Sequence, residues 1–333
     1  MEQQSTMAWF KRLALLASVL ALCVVVLGAY VRLSDAGLGC PDWPGCYGSM
    51  TVPQSEAAIA HAQTVYPDKP LETHKAWKEM VHRYAAGTLG LLILALFVLG
   101  WVGRRRIRVS PWTPSVLLLL VIFQAMLGMW TVTLLLKPAV VTSHLLGGMA
   151  TLALLAWIAH RHWSNTADTL AGHGALRFWV RGALFILFAQ IFLGGWTSSN
   201  YAALACTDFP TCHGAWLPDM DFANAFHLFR ELGQTAEGTN LALPAYNAIQ
   251  WLHRIGALVT LIYLGLLGLN LLRYAQMRTM GGLMLVILGA QISLGIANLV
   301  LHLPLVLAVA HNLGAALLLL TIVVLNSKMT KLP

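Results

Sequence analysis

Eight apolar runs constrain the fold of this chain more than any other feature. A helix needs about 20 apolar residues to span a bilayer, and in lipid a helix can satisfy all of its backbone polar groups internally. The runs cover approximately residues 12–32, 82–102, 113–136, 142–160, 178–198, 249–272, 281–301 and 305–326. The chain is 58% hydrophobic and only 10% charged, which excludes an ordinary soluble domain. The sequence therefore predicts an all-α integral membrane protein with eight transmembrane helices.

The distribution of charge predicts the orientation of these helices. An even number of spans places both termini on one side of the membrane. If that side is the cytoplasm, the inner segments hold 13 of the 21 Lys and Arg residues but only 2 of the 13 acidic residues. Cytoplasmic segments carry such an excess of positive charge, so both termini are predicted to be cytoplasmic. The net charge of +8 then reflects topology, and no nucleic-acid partner is expected. The first apolar run is interpreted as a retained span, because no small-residue cleavage site follows it.

An internal repeat divides the chain into two similar halves. The pattern Cys-x-Asp-aromatic-Pro-x-Cys occurs at residues 40–46 and again at 206–212. The pair His82-Arg83 recurs as His253-Arg254, and further matches continue along the helices. Each half contains four spans, so the repeats are predicted to be parallel four-helix bundles covering residues 1–165 and 166–333. The long outer segments, about 33–80 and 199–247, are predicted to carry short amphipathic helices.

Four histidines lie at repeat-related positions near the outer starts of even-numbered spans. They are His82 and His144 in the first half and His253 and His311 in the second. Ionisable groups within a bilayer are costly and commonly functional. Two imidazoles on facing helices of a bundle form an axial ligand pair for haem iron, whereas other metal sites usually recruit more protein ligands. The sequence therefore predicts two haem-sized sites toward the outer face.

Further residues fit this interpretation. Glycines near the histidines would let a flat macrocycle pass between helices, and they are Gly87, Gly90, Gly147, Gly148, Gly256 and Gly314. Three arginines near the outer surface, Arg32, Arg83 and Arg254, are candidates to bind the haem propionates. The four outer cysteines have a spacing that a turn can close, as Cys40–Cys46 and Cys206–Cys212. Each pair is either a staple for its loop or a redox pair, and Cys23 is interpreted as apolar filler within the first span.

The two halves differ at one position with chemical consequence. Three residues before the histidine of the second span, the first half has Glu79 where the second half has Gln250. A carboxylate can accept and return a proton, whereas an amide of the same shape cannot. The first half is therefore predicted to carry out chemistry and the second to hold a cofactor.

The combined motifs resemble the haem A synthases of the terminal-oxidase assembly pathway. The resemblance rests on residues 37–46, Glu79-Met80-Val81-His82-Arg83, His144, the second cysteine pair, His253-Arg254 and His311. It implies oxidation of a methyl group of haem O to a formyl group, which gives haem A. It also implies that His82 and His144 bind the substrate haem, that His253 and His311 ligate a haem b cofactor, and that Glu79 is the functional glutamate.

The same resemblance implies a place in the cell and a set of partners. The protein is expected in the bacterial cytoplasmic membrane, in contact with lipid and with its active side toward the periplasm. Its expected partners are a haem O synthase and cytochrome oxidase assembly proteins, and the sequence leaves homo-oligomerisation and the electron acceptor open.

Two other classes of function compete with the synthase. A dihaem b-type electron-transfer protein, such as a quinol-linked cytochrome, would hold two permanent haems, usually toward opposite faces of the bilayer. A non-catalytic haem carrier or oxidase assembly factor would explain the histidines but not the difference between Glu79 and Gln250.

Overall fold

The computed structural model describes residues 2–104, 110–163 and 174–329. Within these residues the regular secondary structure is helical, with isolated β-bridges but no strands. The helices of this described part are α1 (Glu2–Leu33), α2 (Glu56–Val65), α3 (Thr73–Val102), α4 (Trp112–Thr133), α5 (Pro138–Trp163), α6 (Gly174–Ser199), α7 (Phe222–Ala225), α8 (Leu243–Leu271), α9 (Arg278–Val300) and α10 (Leu305–Met329).

Eight of the described helices, all except α2 and α7, are long and apolar enough to cross a membrane. The predictions of an all-helical membrane protein and of eight spans are confirmed at this level. Several helices begin earlier than the apolar runs predicted, and the differences are largest for α1, which begins at Glu2, for α3, which begins at Thr73, and for α8, which begins at Leu243. The polar residues of these first turns lower hydropathy, but most of them do not disfavour a helix. His82 therefore lies roughly two and a half turns inside α3, where the apolar run had predicted the start of the helix.

Residues Met1–Thr151 form one compact unit. Its helices close into a four-membered bundle, in which α1 packs on α3 and α3 on α4. Gly128 of α4 lies against His144 of α5, and Gly148 of α5 lies against Val25 of α1. Helices associate in lipid through small residues that allow close approach. On α1 such a buried stripe consists of Ala14, Ala17 and Ala21.

Residues Leu152–Pro333 form the second compact unit. Here α6 packs on α8, α8 on α9, α9 on α10, and α10 returns to α6. A hydrogen bond from Asn326 Nδ2 to the carbonyl oxygen of Val180, 3.2 Å long, joins α10 to α6. The division between the units falls within α5. The predicted boundary at 165/166 lies outside the described residues and stays a prediction.

Each long outer segment contains a short helix, as the sequence predicted. Ser55 caps α2 by accepting a hydrogen bond from the N–H of Ala58, and Asp221 caps α7 through the N–H of Asn224. The first segment also packs a small apolar core against the start of α3. In the second segment, the indole of Trp196 donates a hydrogen bond to the carbonyl oxygen of Ala225. Both segments are thus attached to the helices that follow or precede them.

Unusual backbone conformations recur at matched places in the two units. Positive φ angles occur after α1 at Asp35 and after α6 at Tyr201. They occur again in the turn between α4 and α5, at residues 135–136, and in the turn between α9 and α10, at residues 302–303. Residues other than glycine rarely adopt this conformation, so the matches are specific features of the chain.

Candidate functional site

A disulfide closes the loop that follows the first helix of each unit. The bond Cys40–Cys46 is 2.04 Å long, and the bond Cys206–Cys212 is 2.01 Å long. The predicted pairing of these cysteines is confirmed. Their bonds enclose the same short loop in both units, which we call the first and second disulfide loops.

An aspartate organises each disulfide loop from within. In the first loop, Asp42 accepts hydrogen bonds from the N–H groups of Tyr47 and Gly48, at 2.6 and 2.9 Å. Both donor residues have positive φ, which points their N–H groups toward one carboxylate. Burial raises the pKa of the Tyr47 phenol, which donates a hydrogen bond to the carbonyl oxygen of Pro70. The first loop is therefore a preformed turn.

Asp208 has the same role in the second disulfide loop. It accepts hydrogen bonds from the N–H groups of His213 and Gly214, at 2.7 and 3.0 Å, and from the hydroxyl group of Thr211. The Thr211 hydroxyl and the two N–H groups hold the pKa of Asp208 well below its usual range. The carboxylate form is thus stabilised by the turn that it organises.

Arg83 joins the first disulfide loop to α3. Its Nη1 group donates hydrogen bonds to the carbonyl oxygens of Asp42, Gly45 and Pro44, at 2.9, 2.5 and 3.2 Å. Its Nη2 group donates to the Glu79 carboxylate. An arginine offers five N–H donors in a fixed fork, so one side chain can hold the loop and the carboxylate together.

Arg254 makes the corresponding connection from α8. Its guanidinium group donates hydrogen bonds to the carbonyl oxygens of Thr211 and Cys206, at 2.7 and 2.9 Å. Arg83 and Arg254 are therefore engaged with loop carbonyls, and Arg32 lies 4.0 Å from the carboxylate of Asp35. Contact of these arginines with haem propionates stays a prediction.

Glu79 and Gln250 make different contacts in their two units. The carboxylate of Glu79 is almost fully buried and accepts hydrogen bonds from Arg83 and from the backbone N–H of Cys40, the latter 2.9 Å long. Gln250 is also buried, but it donates from Nε2 to the carbonyl oxygen of Ala203, across 2.9 Å. Only the first unit therefore presents a buried carboxyl group at this position.

Each of the four predicted histidines lies against a glycine of a neighbouring helix. A Cβ atom added to Gly28 would lie 2.9 Å from Cε1 of His82, and one added to Gly128 would lie 3.4 Å from Cε1 of His144. In the second unit the corresponding distance is 3.1 Å for both contacts. These contacts join Gly194 to His253 and Gly295 to His311. The glycines thus set how deeply each imidazole can enter between the helices.

The structure brings the histidines together in pairs. His82 of α3 lies near enough to His144 of α5, and His253 of α8 near enough to His311 of α10, for a charge on one ring to affect the other. Each pair belongs to one unit. Within the described ranges, no three His, Cys, Asp or Glu side chains come close enough to hold a metal ion. Each site therefore offers two imidazoles rather than a complete protein ligand set.

Three glutamines also belong to the histidine sites, although the sequence pattern predicted no role for them. Gln190 Nε2 lies 3.1 Å from Nδ1 of His253, and Gln291 Nε2 lies 3.4 Å from Nε2 of His311. The side chains of Gln124, Gln190 and Gln291 fill the space beside Gly147, Gly256 and Gly314. The interpretation of these three glycines as clearance for a macrocycle is wrong, because glutamine amides occupy that space. The available signal was a glutamine four residues before a glycine, which occurs in three of the transmembrane helices.

The fold and these contacts define a multi-pass helical membrane protein with two histidine pairs, each beside a disulfide-closed loop. The chain belongs to the COX15-CtaA family, described as cytochrome oxidase assembly protein, which matches it over residues 11–323.

Curated relatives of this chain carry the name heme A synthase. The chain is 46% identical to the heme A synthase of Shewanella oneidensis over 324 residues, which cover 96% of each chain. It is 27% identical to that of Caulobacter vibrioides, over 91% of each chain. It is 28% identical to that of Paracoccus denitrificans, over 90% of this chain and 82% of the relative.

Proposed function

We propose that this protein is a haem A synthase that oxidises a methyl group of haem O to a formyl group. The observation that carries the proposal is the 46% identity to a heme A synthase over 96% of both chains. A match of that extent is long enough to take in both units of this chain. The proposed enzyme is an oxidoreductase.

The histidine pairs have the chemistry that a haem requires. A haem supplies four equatorial nitrogens to its iron, so the protein needs to add only axial ligands. Paired imidazoles on opposite sides of a bundle provide such a set, whereas the described residues do not gather the three or more ligands of a bare metal site. In this proposal His82 and His144 bind the iron of the substrate, and His253 and His311 ligate the cofactor haem b.

A backbone carbonyl group favours the tautomer of His311 that carries its proton on Nδ1. Nδ1 of His311 lies 3.1 Å from the carbonyl oxygen of Gln291. Donation from Nδ1–H to a backbone carbonyl leaves the lone pair on Nε2. The Gln291 amide nitrogen lies 3.4 Å from Nε2 and has to move before this atom can bind a metal. This contact supports His311 as an iron ligand through Nε2.

The two units are proposed to be parallel repeats, residues 1–165 and 166–333, with different tasks. Both disulfide loops have the same aspartate turn, and both are held by an arginine on the following transmembrane helix. The units differ in the buried residue beneath the loop, Glu79 in one and Gln250 in the other. This combination supports a common haem-binding scaffold with chemistry in the first unit.

Glu79 is proposed to be the catalytic residue. Each hydroxylation of a methyl carbon by water releases two protons and two electrons, and loss of water from the doubly hydroxylated carbon leaves the formyl group. A buried carboxylate can accept such a proton or stabilise positive charge that develops on the carbon. Arg83 and the Cys40 N–H hold the Glu79 carboxylate in place for this role. When bound, haem b supplies a one-electron redox group.

The orientation of the protein follows from the same proposal. The excess of Lys and Arg in the inner segments favours cytoplasmic termini in the bacterial cytoplasmic membrane. The disulfide loops then face the periplasm, where disulfides persist. A haem O synthase and oxidase assembly proteins are the proposed partners, since one class of enzyme must supply the substrate and another assembly must take up the product.

Haem analysis of membranes tests the function. Membranes that contain haem O are prepared with and without this protein, and their haems are extracted and identified by mass. The proposal predicts haem A only where the protein is present. Two unaltered haems b per chain with no haem A would instead support an electron-transfer protein. Bound haem O without conversion would support a carrier.

A further inference from the structure

An open pocket of about 360 Å³ lies between the second disulfide loop and the first turn of α8. Its volume is within the range of pockets that hold small molecules, about 300 to 1,000 Å³. The loop contributes Cys212 and His213 to its lining, and α8 contributes Leu243 and Asn247. All of its lining residues belong to the second unit. We call this space the second-loop pocket.

The matched positions of the first unit carry an apolar core. Tyr47 follows the second cysteine of its loop as His213 does, and Ala76 stands where the second unit has Asn247. Tyr47 is buried and packs edge-on against Tyr66, with ring centroids 5.5 Å apart. Tyr47 and Ala76 belong to one buried cluster, whereas His213 is exposed. The second unit therefore replaces two apolar contacts by an imidazole and an amide that line a pocket.

Asn247 orients the imidazole of His213. The buried Asn247 amide donates from Nδ2 to the backbone carbonyl oxygen of Asp219, across 3.3 Å. Its Oδ1 atom lies 3.2 Å from Nε2 of His213 and accepts a hydrogen bond from it. The proton of the neutral imidazole is therefore on Nε2, which leaves the lone pair of Nδ1 available to a ligand.

The lining of the second-loop pocket favours an uncharged ligand with polar oxygen atoms. Its titratable side chains, His213 and Asp219, are exposed to solvent, and the lining residues include no Lys or Arg. A phosphate group would meet the Asp219 carboxylate without a cation to bind it. The sulfur of Cys212 is part of the disulfide, so one imidazole and one carboxylate are too few to hold a metal ion.

The proposed reaction requires an electron acceptor of this kind. Each hydroxylation releases two electrons and two protons, and a quinone takes up two of each when its carbonyl oxygens become the hydroxyl groups of a quinol. An imidazolium donates a hydrogen bond to a carbonyl oxygen, and a neutral imidazole accepts one from a hydroxyl group, so His213 can bind both forms. Asn247 lies six residues before His253 on α8, which is about 9 Å along the helix axis.

We propose that the second-loop pocket binds a membrane quinone, which accepts the electrons of the methyl oxidation. This inference rests on the proposed function. His213 and Asp219 carry protons from water to the quinone oxygens, so that one quinone becomes one quinol per hydroxylation and two quinones are reduced per formyl group. Trp216, Leu217 and Leu243 are exposed at or beside the pocket and provide an apolar surface for the isoprenoid tail.

Photolabelling of the purified full-length protein locates the quinone. The protein is illuminated with a photoreactive azido derivative of ubiquinone, and the labelled peptides are identified by mass. Label is expected within residues 212–219 and 243–247, which line the pocket, and an excess of ubiquinone-1 should prevent it. Label confined to other parts of the chain, or label that ubiquinone-1 does not prevent, would overturn the inference.

Two variants fill the pocket by different routes. His213→Tyr with Asn247→Ala installs the residues that the first unit has at the matched positions, and Ala215→Phe adds a ring to the pocket wall. Each should lower the labelling by about 10-fold or more, because the quinone loses its space and, in the first variant, its hydrogen bond to His213. His61→Tyr, at an exposed position of α2, is the control and should leave the labelling unchanged. If one of the two filled variants does not fold, the other decides.

Reoxidation of the reduced protein tests electron transfer to the quinone. Protein with bound haem is reduced with a stoichiometric amount of dithionite and mixed with a low concentration of ubiquinone-1, and the absorbance of the reduced haem is followed. The filled variants should keep the haem content of the wild type and be reoxidised more slowly, by a factor similar to their loss of label. A wild-type rate in a variant that no longer takes the label would overturn the inference. Failure of the proposed function is distinguishable, because membranes would then form no haem A although the azidoquinone still labels the pocket.

Discussion

The backbone N–H of Cys40 donates a hydrogen bond to the carboxylate of Glu79 across 2.9 Å, which joins the first disulfide loop to the buried acid of α3. Arg83 reinforces the connection, because its guanidinium group binds both the carboxylate and the loop carbonyls. In the second unit the loop is held by Arg254, and the amide of Gln250 takes the place of the carboxylate. The acid and the loop therefore form one structural group in the first unit only.

Replacement of Glu79 by Gln should abolish formyl production while leaving haem binding intact. The amide keeps the size of the side chain but cannot accept a proton, and loss of a general base commonly costs about 10²- to 10⁴-fold in rate. The measurement is haem A formed per bound haem O in membranes that contain equal amounts of protein. Gln250→Glu is the control at the matched position and should not change the product. Full formyl production by Glu79→Gln would remove the carboxylate from the mechanism.

Replacement of Cys40 and Cys46 by Ser should lower turnover and leave haem b content unchanged. Without the disulfide, the loop no longer holds the Cys40 N–H against Glu79. Cys206→Ser with Cys212→Ser should affect turnover less, because Gln250 bonds to Ala203 outside that disulfide. Turnover and haem b content are measured for both double variants in parallel. Equal turnover in the wild type and the Cys40/Cys46 variant would contradict both the bracing role and a redox role.

Trapping of free thiols during turnover separates the bracing role from the redox role. A bracing disulfide stays closed, so an alkylating reagent added during turnover should leave Cys40 and Cys46 unmodified, as judged by mass analysis. A redox pair would accumulate alkylated cysteines only when haem O is present. Alkylation of Cys206 and Cys212, measured in the same chain, is the internal control.

Gly28→Ala should disturb haem binding in the first unit more than Gly128→Ala. The added Cβ would lie 2.9 Å from Cε1 of His82, closer than carbon atoms normally approach, whereas the distance to His144 is 3.4 Å. The ring of His82 would have to move, while that of His144 would need little adjustment. Haem content and the absorbance of the first site measure the effect. Equal occupancy of that site in both variants would show that the glycine contact does not control His82.

The second disulfide loop should keep its conformation to acidic pH. The hydrogen bonds to Asp208 lower the pKa of its carboxyl group, so their stabilisation is fully present above the ordinary aspartate pKa of about 4. It is lost only as the pH falls through the lower pKa of the folded state. Hydrogen exchange of the His213 and Gly214 amides, corrected for intrinsic rates, should show constant protection from neutral pH to about pH 4. Loss of protection near pH 6 would contradict this account of the turn.

The sequence predicted those structural elements that a short, continuous stretch of residues specifies. Apolar runs long enough to span a bilayer identified the eight helices, and the repeated cysteine pattern identified both disulfides. The starts of α3 and α8 were predicted too late. Hydropathy identifies the apolar segment that can lie in lipid, and it does not identify the residue at which the helix begins. The polar residues at 73–81 continue the helix beyond the apolar run.

Contacts between helices were much harder to predict. Gln190 and His253 are 63 positions apart in the chain, and nothing local indicates that their polar groups meet. The arginines were predicted to face propionates because they lie near the outer surface, yet the structure shows loop carbonyls bound to Arg83 and Arg254. Such partners are determined by helix packing and loop closure, which a single sequence does not reveal.

The haem content of histidine variants tests the central claim most directly. Protein with His82→Ala and protein with His253→Ala are purified from membranes that contain haem O, and the haems bound to each are identified by mass and counted per chain. The account predicts that His82→Ala retains haem b and loses haem O and haem A, while His253→Ala loses haem b. Retention of the same haems in the same ratio by both variants would contradict the assignment of substrate and cofactor to separate histidine pairs.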